Sequence, residues 1–171
     1  MAVDNAIEII PVINKLRKMK HIFDYIFLAR DWHPPNHISF QKNNPNTHLF
    51  EQVSDPETGD EMIMWPSHCI QGSRGAQFHK DLDTESSDIL ISKGVSHKVD
   101  AFSAFGSDRE DTGLYTELKK LQVTHLYCVG LALDFCVGYT AQDAAEEGFA
   151  VTIISEAVKS VNPEESSRTY E

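Results

Sequence analysis

Apolar residues recur three to four positions apart over residues 6–18, as Ile7, Ile10, Val12 or Ile13, and Leu16. That spacing places them on one face of a helix. Pro11 lies inside the stretch and either makes the first turn irregular or marks where the helix begins. Lys15, Arg17, Lys18 and Lys20 suit the negative end of that helix. Residues 25–29, 88–92, 125–129 and 150–154 are densely apolar instead, the pattern of strands buried on both faces. Helical spacing returns over residues 113–121, where Leu114, Leu118 and Leu121 share a face. It returns again after Asp134, a predicted N-cap. There Gly138, Ala141, Ala144 and Ala145 let a helix lie close on a sheet until Gly148 ends it. Asn162 and Pro163 open a last helix. Residues 39–59 are rich in Asn, Pro, Thr and Asp and read as one long loop.

Apolar strands interleaved with helices predict an α/β fold. The expected form is a mostly parallel sheet covered on both faces by helices, a three-layer α/β/α arrangement of Rossmann-like type. At 171 residues the chain suits one domain, and no repeat or low-complexity tract divides it. The formal net charge of −11 argues against a nucleic-acid or anionic-membrane partner. No apolar run reaches the length of a bilayer, and no signal-peptide pattern opens the chain. Three cysteines without framework spacing, Cys69, Cys128 and Cys136, suit the reducing cytoplasm.

Cys136 falls just past the end of the 125–129 strand, in the first turn of the predicted helix. Ligand sites of open parallel sheets lie at such strand ends. A helix N-terminus there would favour a thiolate and could hold an oxyanion. The alternative is a small buried residue, the usual fate of a free cysteine. Asp31-x-His33 at another strand end, closed by His68, has the donors of an open two-histidine, one-carboxylate site for Zn²⁺, Fe²⁺ or Mn²⁺. The plain alternative is loop histidines bonded to backbone. His37 reads equally as a further ligand, an outer neighbour of the ligands, or a solvated loop residue. Lys93, before Gly94 at a third strand end, would favour a neighbouring thiolate or else be a surface lysine. Trp65 could stack a planar ring or simply anchor its loop.

Four blocks, in order, resemble the nicotinamidase/pyrazinamidase branch of the isochorismatase-like cysteine hydrolases. They are Ala29-Arg30-Asp31-Trp32-His33-Pro34-Pro35-Asn36-His37-Ile38-Ser39-Phe40; Trp65-Pro66-Ser67-His68-Cys69-Ile70-Gln71-Gly72-Ser73-Arg74-Gly75-Ala76; Ser92-Lys93-Gly94 with Asp100-Ala101-Phe102-Ser103-Ala104-Phe105; and residues 129–141. Residues 9–16 also resemble the family's first helix, Pro11 included. The resemblance implies that Cys136 attacks the carboxamide carbon of nicotinamide and forms a thioester that water hydrolyses to nicotinate, with release of ammonia, in NAD salvage. It implies an oxyanion hole from the N–H groups of Ala132 and Cys136, beside a cis Leu131–Ala132 peptide. Lys93 would stabilise the thiolate. Asp31, His33 and His68 would hold the metal, zinc first and iron or manganese next. Trp65 and Phe135 would line the ring pocket. The implied partner is the small-molecule substrate, with self-association left open.

The chain departs from the family pattern at its start. The family's first strand, with an Asp-x-Gln-Asn-Asp-Phe motif whose aspartate is the general base, has no counterpart before Met1-Ala2-Val3. Asp4 and Asp24 are badly placed to replace it. Residues 1–171 are therefore expected to be one isochorismatase-like domain that is incomplete at its N-terminus and at its C-terminus, with the central strand missing and the activity of this form in question. The alternative expectation is a non-catalytic metal- or ligand-binding remnant. A sibling reaction on isochorismate or an N-carbamoyl compound is disfavoured by the Asp31, His33 and His68 set.

Overall fold

A single 3-10 turn at Ala6–Glu8 leads into helix α1, Ile9–Arg17, in a computed structural model that describes residues 3–164. Pro11 occupies the first turn of α1, where a missing N–H leaves no intrahelical bond unmade. Arg17 in the last turn donates to both carboxylate oxygens of Asp88 at 2.8 and 3.0 Å, which ties the helix to the start of a strand.

The chain continues through β1, Phe27–Asp31, and then β2, Gln52–Ser54, and β3, Glu61–Ile63. β2 and β3 form an antiparallel hairpin whose first strand lies inside the stretch expected to be loop. Its three-residue strands are too short for alternation to show in the sequence. Next come β4, Ile89–Lys93, the short pair β5, Gly106–Ser107, and β6, Glu110–Asp111, and helix α2, Leu114–Lys120. The chain then runs through β7, His125–Leu131, helix α3, Gly138–Glu146, and β8, Ala150–Lys159.

The expected parallel pairing is present. β1 and β4 run parallel from Phe27↔Ile89 to Asp31↔Lys93, and β7 and β8 run parallel with a register shift between Cys128 and Gly130. The expected single sheet is not formed among the described residues. Its strands stand as two parallel pairs, with two small antiparallel hairpins beside them. α1 and α3 both pack on the β7–β8 pair. The core gathers Ile91 of β4, Leu114 and Leu118 of α2, Ala144 of α3, Ala104 and Phe149. The small Ala144, wholly buried, lets α3 approach closely as its pattern predicts.

The helix expected to start at Asp134 is different. Residues Leu133–Val137 form one wide turn of π type, broken at Phe135 (φ −132°, ψ −108°), and α3 begins only at Gly138. Asp134 does not cap a helix. Its carboxylate accepts the N–H groups of Val161 at 3.0 Å and Asn162 at 2.7 Å, so it ties the end of β8 to this turn. Gly148, at φ +84°, ends the helical segment as expected. Pro163 and Glu164 are helical, and the rest of the stretch predicted as a helix from Pro163 lies outside the described residues.

Candidate active site

The parallel register of β1 and β4 sets the centre of the site. It places Asp31 and Lys93 side by side at the strand ends, with the Lys93 ammonium 2.6 Å from Asp31 Oδ1. Lys93 is 4% exposed and also donates to the Ala101 carbonyl at 2.9 Å. Burial disfavours its charge, yet Cys136 and Asp31 outweigh that and hold its pKa above the ordinary lysine value. Burial likewise pushes the Asp31 carboxyl up, but Lys93 and then His33 more than reverse it, so Asp31 is ionised well into acid.

The other Asp31 oxygen faces two imidazoles. His33 Nε2 lies 3.8 Å from Oδ2 and His68 Nε2 lies 3.7 Å from it. The ligand atoms of Asp31, His33 and His68 all lie within 4.8 Å of one another. Backbone pairing brings the two loops together: the His33 N–H donates to the Cys69 carbonyl at 3.0 Å, and the Gln71 N–H to the His33 carbonyl at 2.8 Å. Each histidine is oriented from behind. His33 Nδ1 meets the Gly94 carbonyl at 2.9 Å and His68 Nδ1 meets the Pro66 carbonyl at 2.8 Å. A carbonyl only accepts, so each Nδ1 carries the proton and each Nε2 offers a lone pair toward Asp31. The Nε2–Oδ2 separations are too long for hydrogen bonds, and such a set suits a divalent cation of zinc type.

His37 is not a further ligand. Its Nε2 donates to the Val99 carbonyl at 2.8 Å and its Nδ1 accepts from the Ser39 hydroxyl at 2.9 Å, so both nitrogens are engaged. Its ring lies against His33 at 4.1 Å between centroids, which makes it an outer neighbour of the candidate metal set.

Cys136 sits in the wide turn before α3 rather than in the first turn of that helix. Burial raises its thiol pKa and Lys93, hydrogen-bonded to it, lowers it only in part. The thiol therefore keeps its proton at neutral pH in the free chain. Thr140 holds the turn: its hydroxyl donates to the Cys136 carbonyl at 2.6 Å and accepts the Ala104 N–H at 2.8 Å. The Leu131–Ala132 peptide is cis, and the Ala132 carbonyl accepts the N–H groups of Phe135 and Val137. Trp65, 5% exposed, meets Phe135 edge-on at 5.1 Å, and Phe102 continues this wall at 5.6 Å from Phe135.

Three residues of this neighbourhood escape a reading for nucleophiles and ligands. Glu110, 8% exposed, accepts the N–H groups of Gly94 and Val95 at 2.6 and 2.7 Å and so fixes the turn that carries the carbonyl behind His33. Ser39 gives its hydroxyl proton to His37 Nδ1 and lies beside the Asp100 carboxyl. Asp100 itself acts electrostatically on Cys136, Lys93 and Asp31. In the sequence it stands inside the block Asp100-Ala101-Phe102-Ser103-Ala104-Phe105 with nothing that marks it as a second carboxylate of the site. Its position before Ala101, whose carbonyl Lys93 binds, becomes informative only once the 93–101 loop is folded.

The sequence pattern of the isochorismatase domain family matches residues 2–171. The nicotinamidase of Acinetobacter baylyi is 40% identical over 164 residues, which is 95% of this chain and 74% of that protein. Among solved structures, a nicotinamidase/pyrazinamidase of Acinetobacter baumannii superposes with a TM-score of 0.89 at 39% identity, covering 98% of this chain and 80% of that one. A pyrazinamidase of Pyrococcus horikoshii in complex with zinc gives 0.79 at 34%, covering 98% and 80%. The enzyme PnC1 of L. infantum in complex with nicotinate gives 0.80 at 34%, covering 98% and 76%. No helix among the described residues is long and apolar enough to cross a membrane.

Proposed function

The chain belongs to the isochorismatase family, and on that premise we propose that it is a nicotinamidase, an amidohydrolase that converts nicotinamide to nicotinate and ammonia in NAD salvage. The observation that carries this reading is the position of Lys93. Its ammonium joins the Asp31 carboxylate, at the edge of the Asp31, His33 and His68 set, to the Cys136 thiol. A cysteine hydrolase of a carboxamide needs a thiol whose anion is stabilised and a polar site for the ligand beside it.

Cys136 attacks the carboxamide carbon, with Lys93 stabilising the thiolate. The N–H groups of Ala132 and Cys136 receive the oxyanion of the tetrahedral intermediate. The C–N bond breaks, ammonia leaves, and water hydrolyses the thioester to nicotinate. Trp65 and Phe135 hold the ring between aromatic edges. Asp31, His33 and His68 hold a divalent metal, zinc by likeness to the P. horikoshii complex and iron or manganese by donor type, which when bound supplies a Lewis acid for a lone pair of the ligand. The same likeness supports taking residues 1–171 as one domain, with the two parallel pairs as parts of a mostly parallel α/β/α sheet. Three free thiols suit a cytoplasmic setting.

The test is ammonia release from nicotinamide by the zinc-loaded chain beside Cys136→Ala. Release that disappears in Cys136→Ala while zinc content stays the same is the expected result. A folded, zinc-loaded chain that releases no ammonia would overturn the reading and favour a non-catalytic binding module.

A further inference from the structure

The turn that carries Cys136 is irregular and has to be held from outside. Residues Leu133–Val137 make one wide turn with a non-helical break at Phe135, the residue before the thiol. On its N-terminal side the Ala132 carbonyl takes the N–H groups of Phe135 and Val137 at 3.1 and 3.0 Å. On its C-terminal side a side chain does the holding. The Thr140 hydroxyl donates to the Cys136 carbonyl at 2.6 Å and accepts the Ala104 N–H at 2.8 Å. The first of those bonds, from a hydroxyl to the carbonyl four residues back, is common for threonine in a helix and alone would mean little. The second is not local. Ala104 lies 36 residues earlier in the chain and is 4% exposed, so its N–H needs an acceptor from the protein.

Ala104 ends a segment that the site grips at several points. The Ala101 carbonyl takes the Lys93 ammonium at 2.9 Å. The Phe102 ring stacks on Tyr139 at 5.2 Å between centroids and meets Phe135 at 5.6 Å. The Ala104 carbonyl takes the Thr112 hydroxyl at 2.6 Å. Lys93 in turn is hydrogen-bonded to the Cys136 side chain. A closed circuit therefore runs from the thiol through Lys93 to Ala101, along the chain to Ala104, and back through Thr140 to the Cys136 carbonyl. The Thr140 hydroxyl is the link that closes it.

Resting on the nicotinamidase reading above, we propose that Thr140 is a positioning residue for the nucleophile: by tying the Cys136 carbonyl to Ala104 it fixes the thiol against the Lys93 ammonium and the Phe135–Phe102 wall. Thr140 acts through the Cys136 backbone and takes no part in bond making. Attack on a carboxamide carbon demands a set distance and direction, and a misplacement of about 1 Å can cost about 10²-fold in rate. The ring wall has supports of its own, Phe102 stacked on Tyr139 and Trp65 set edge-on to Phe135. Substrate binding therefore depends less on the hydroxyl than the chemical step does.

The experiment compares the zinc-loaded parent with Thr140→Val, Thr140→Ser and Thr112→Val. Thr140→Val keeps the shape and removes both bonds, whereas Thr140→Ser keeps the hydroxyl. Thr112→Val removes the other hydroxyl bound to Ala104, so it loosens the same segment and leaves the Cys136 carbonyl tied. The kcat and KM of ammonia release, the zinc content and the Tm are measured on each. Thr140→Val should lose about 10- to 10²-fold in kcat, keep KM within about threefold and retain its zinc. Thr140→Ser should regain most of the rate. Thr112→Val should melt lower yet keep kcat within about threefold of the parent. A kcat in Thr140→Val within about threefold of the parent would overturn the proposal. So would a loss in Thr112→Val as large as in Thr140→Val, which would make the effect one of general loosening, or a loss of zinc in step with activity. If Thr140→Val does not fold, Thr140→Ala takes its place, since it cuts the same tie and leaves room for a water at the Ala104 N–H. If the parent itself releases no ammonia, the nicotinamidase reading fails and alkylation by iodoacetamide, followed on the Cys136 peptide by mass spectrometry, still decides. A rate that changes more than about threefold in Thr140→Val and holds in Thr140→Ser and Thr112→Val keeps Thr140 as the support of the thiol. Equal rates in all four proteins remove it.

Discussion

Asp31 and Lys93 end neighbouring parallel strands at the same register, and their charges meet at 2.6 Å with the ammonium almost wholly buried. One ion pair thus joins the candidate metal set to the thiol. Lys93→Met keeps the volume and removes the charge. The Asp31 carboxylate is then buried alone, and loss of one partner of such a pair costs about 3–5 kcal/mol. Because the pair holds the Asp31 pKa below its ordinary value, its stabilisation is complete above about pH 4 and is lost as the pH falls through the folded pKa. Urea unfolding of the metal-free chain should show a large gap between parent and Lys93→Met at neutral pH and a much smaller one in acid. An equal gap at both would mean that the pair contributes no linkage.

Gly94 allows the His33 ring to lie against the backbone. A Cβ at this position would stand 2.3 Å from one ring carbon and 2.4 Å from Nδ1, and the residue adopts φ +61°. Gly94→Ala must therefore move the imidazole or the turn. Zinc affinity should fall at least about tenfold, while the distant core cluster around Leu118 is untouched. Competition with a metal-binding dye measures it. Unchanged affinity would show that His33 is not held by this contact.

The sequence made the chemistry more legible than the sheet. Asp31, His33, Lys93 and Cys136 draw notice at strand ends, yet each there has a plainer alternative, and only the resemblance to a known family singles them out together with His68; the structure gathers Asp31, His33, His68, Lys93 and Cys136 in one cluster. The π-type turn at Leu133–Val137 was illegible, since Asp134 before an apolar stretch has the signature of an N-cap and its true partners, the N–H groups of Val161 and Asn162, lie 27 and 28 residues away. The division of the parallel strands into separate pairs was illegible too, because an apolar run states burial and not which strand lies beside it. Glu110 carries no motif, and its contact with Gly94 follows from a loop path that the sequence does not show.

His37 is wholly buried and its pKa is depressed to about 3, by burial first and by His33 next. A histidine that the fold keeps neutral takes up its proton only on unfolding, where its pKa is about 6.5. The unfolded chain therefore binds more protons between about pH 3 and 6.5, and stability rises with pH across that window. Acidification from pH 7 to pH 4 should cost on the order of 3 kcal/mol from this residue. His37→Gln, which can still donate and accept, should flatten that part of the curve in urea unfolding of the metal-free chain. The same slope in parent and variant would assign the acid sensitivity elsewhere.

Glu110 reaches the candidate metal set through two links. Its carboxylate takes the N–H groups of Gly94 and Val95, and the Gly94 carbonyl takes the Nδ1 proton of His33. Glu110→Gln can satisfy one N–H with its carbonyl but brings an amide N–H₂ against the other. A buried donor left unpaired costs about 1–3 kcal/mol, and the freed turn lets the Gly94 carbonyl drift from His33. The variant should unfold at lower urea and bind zinc more weakly, and Glu110→Ala, which leaves both N–H groups unpaired, should do worse on both counts. Thr112→Val supplies the contrast. It removes the hydroxyl that donates to the Ala104 carbonyl at 2.6 Å and so weakens a neighbouring loop without touching Gly94. Its stability should fall while its zinc affinity holds. Equal loss of zinc affinity in Thr112→Val and Glu110→Gln would mean that general loosening of the loop, and not the Glu110–Gly94–His33 chain, governs the metal set.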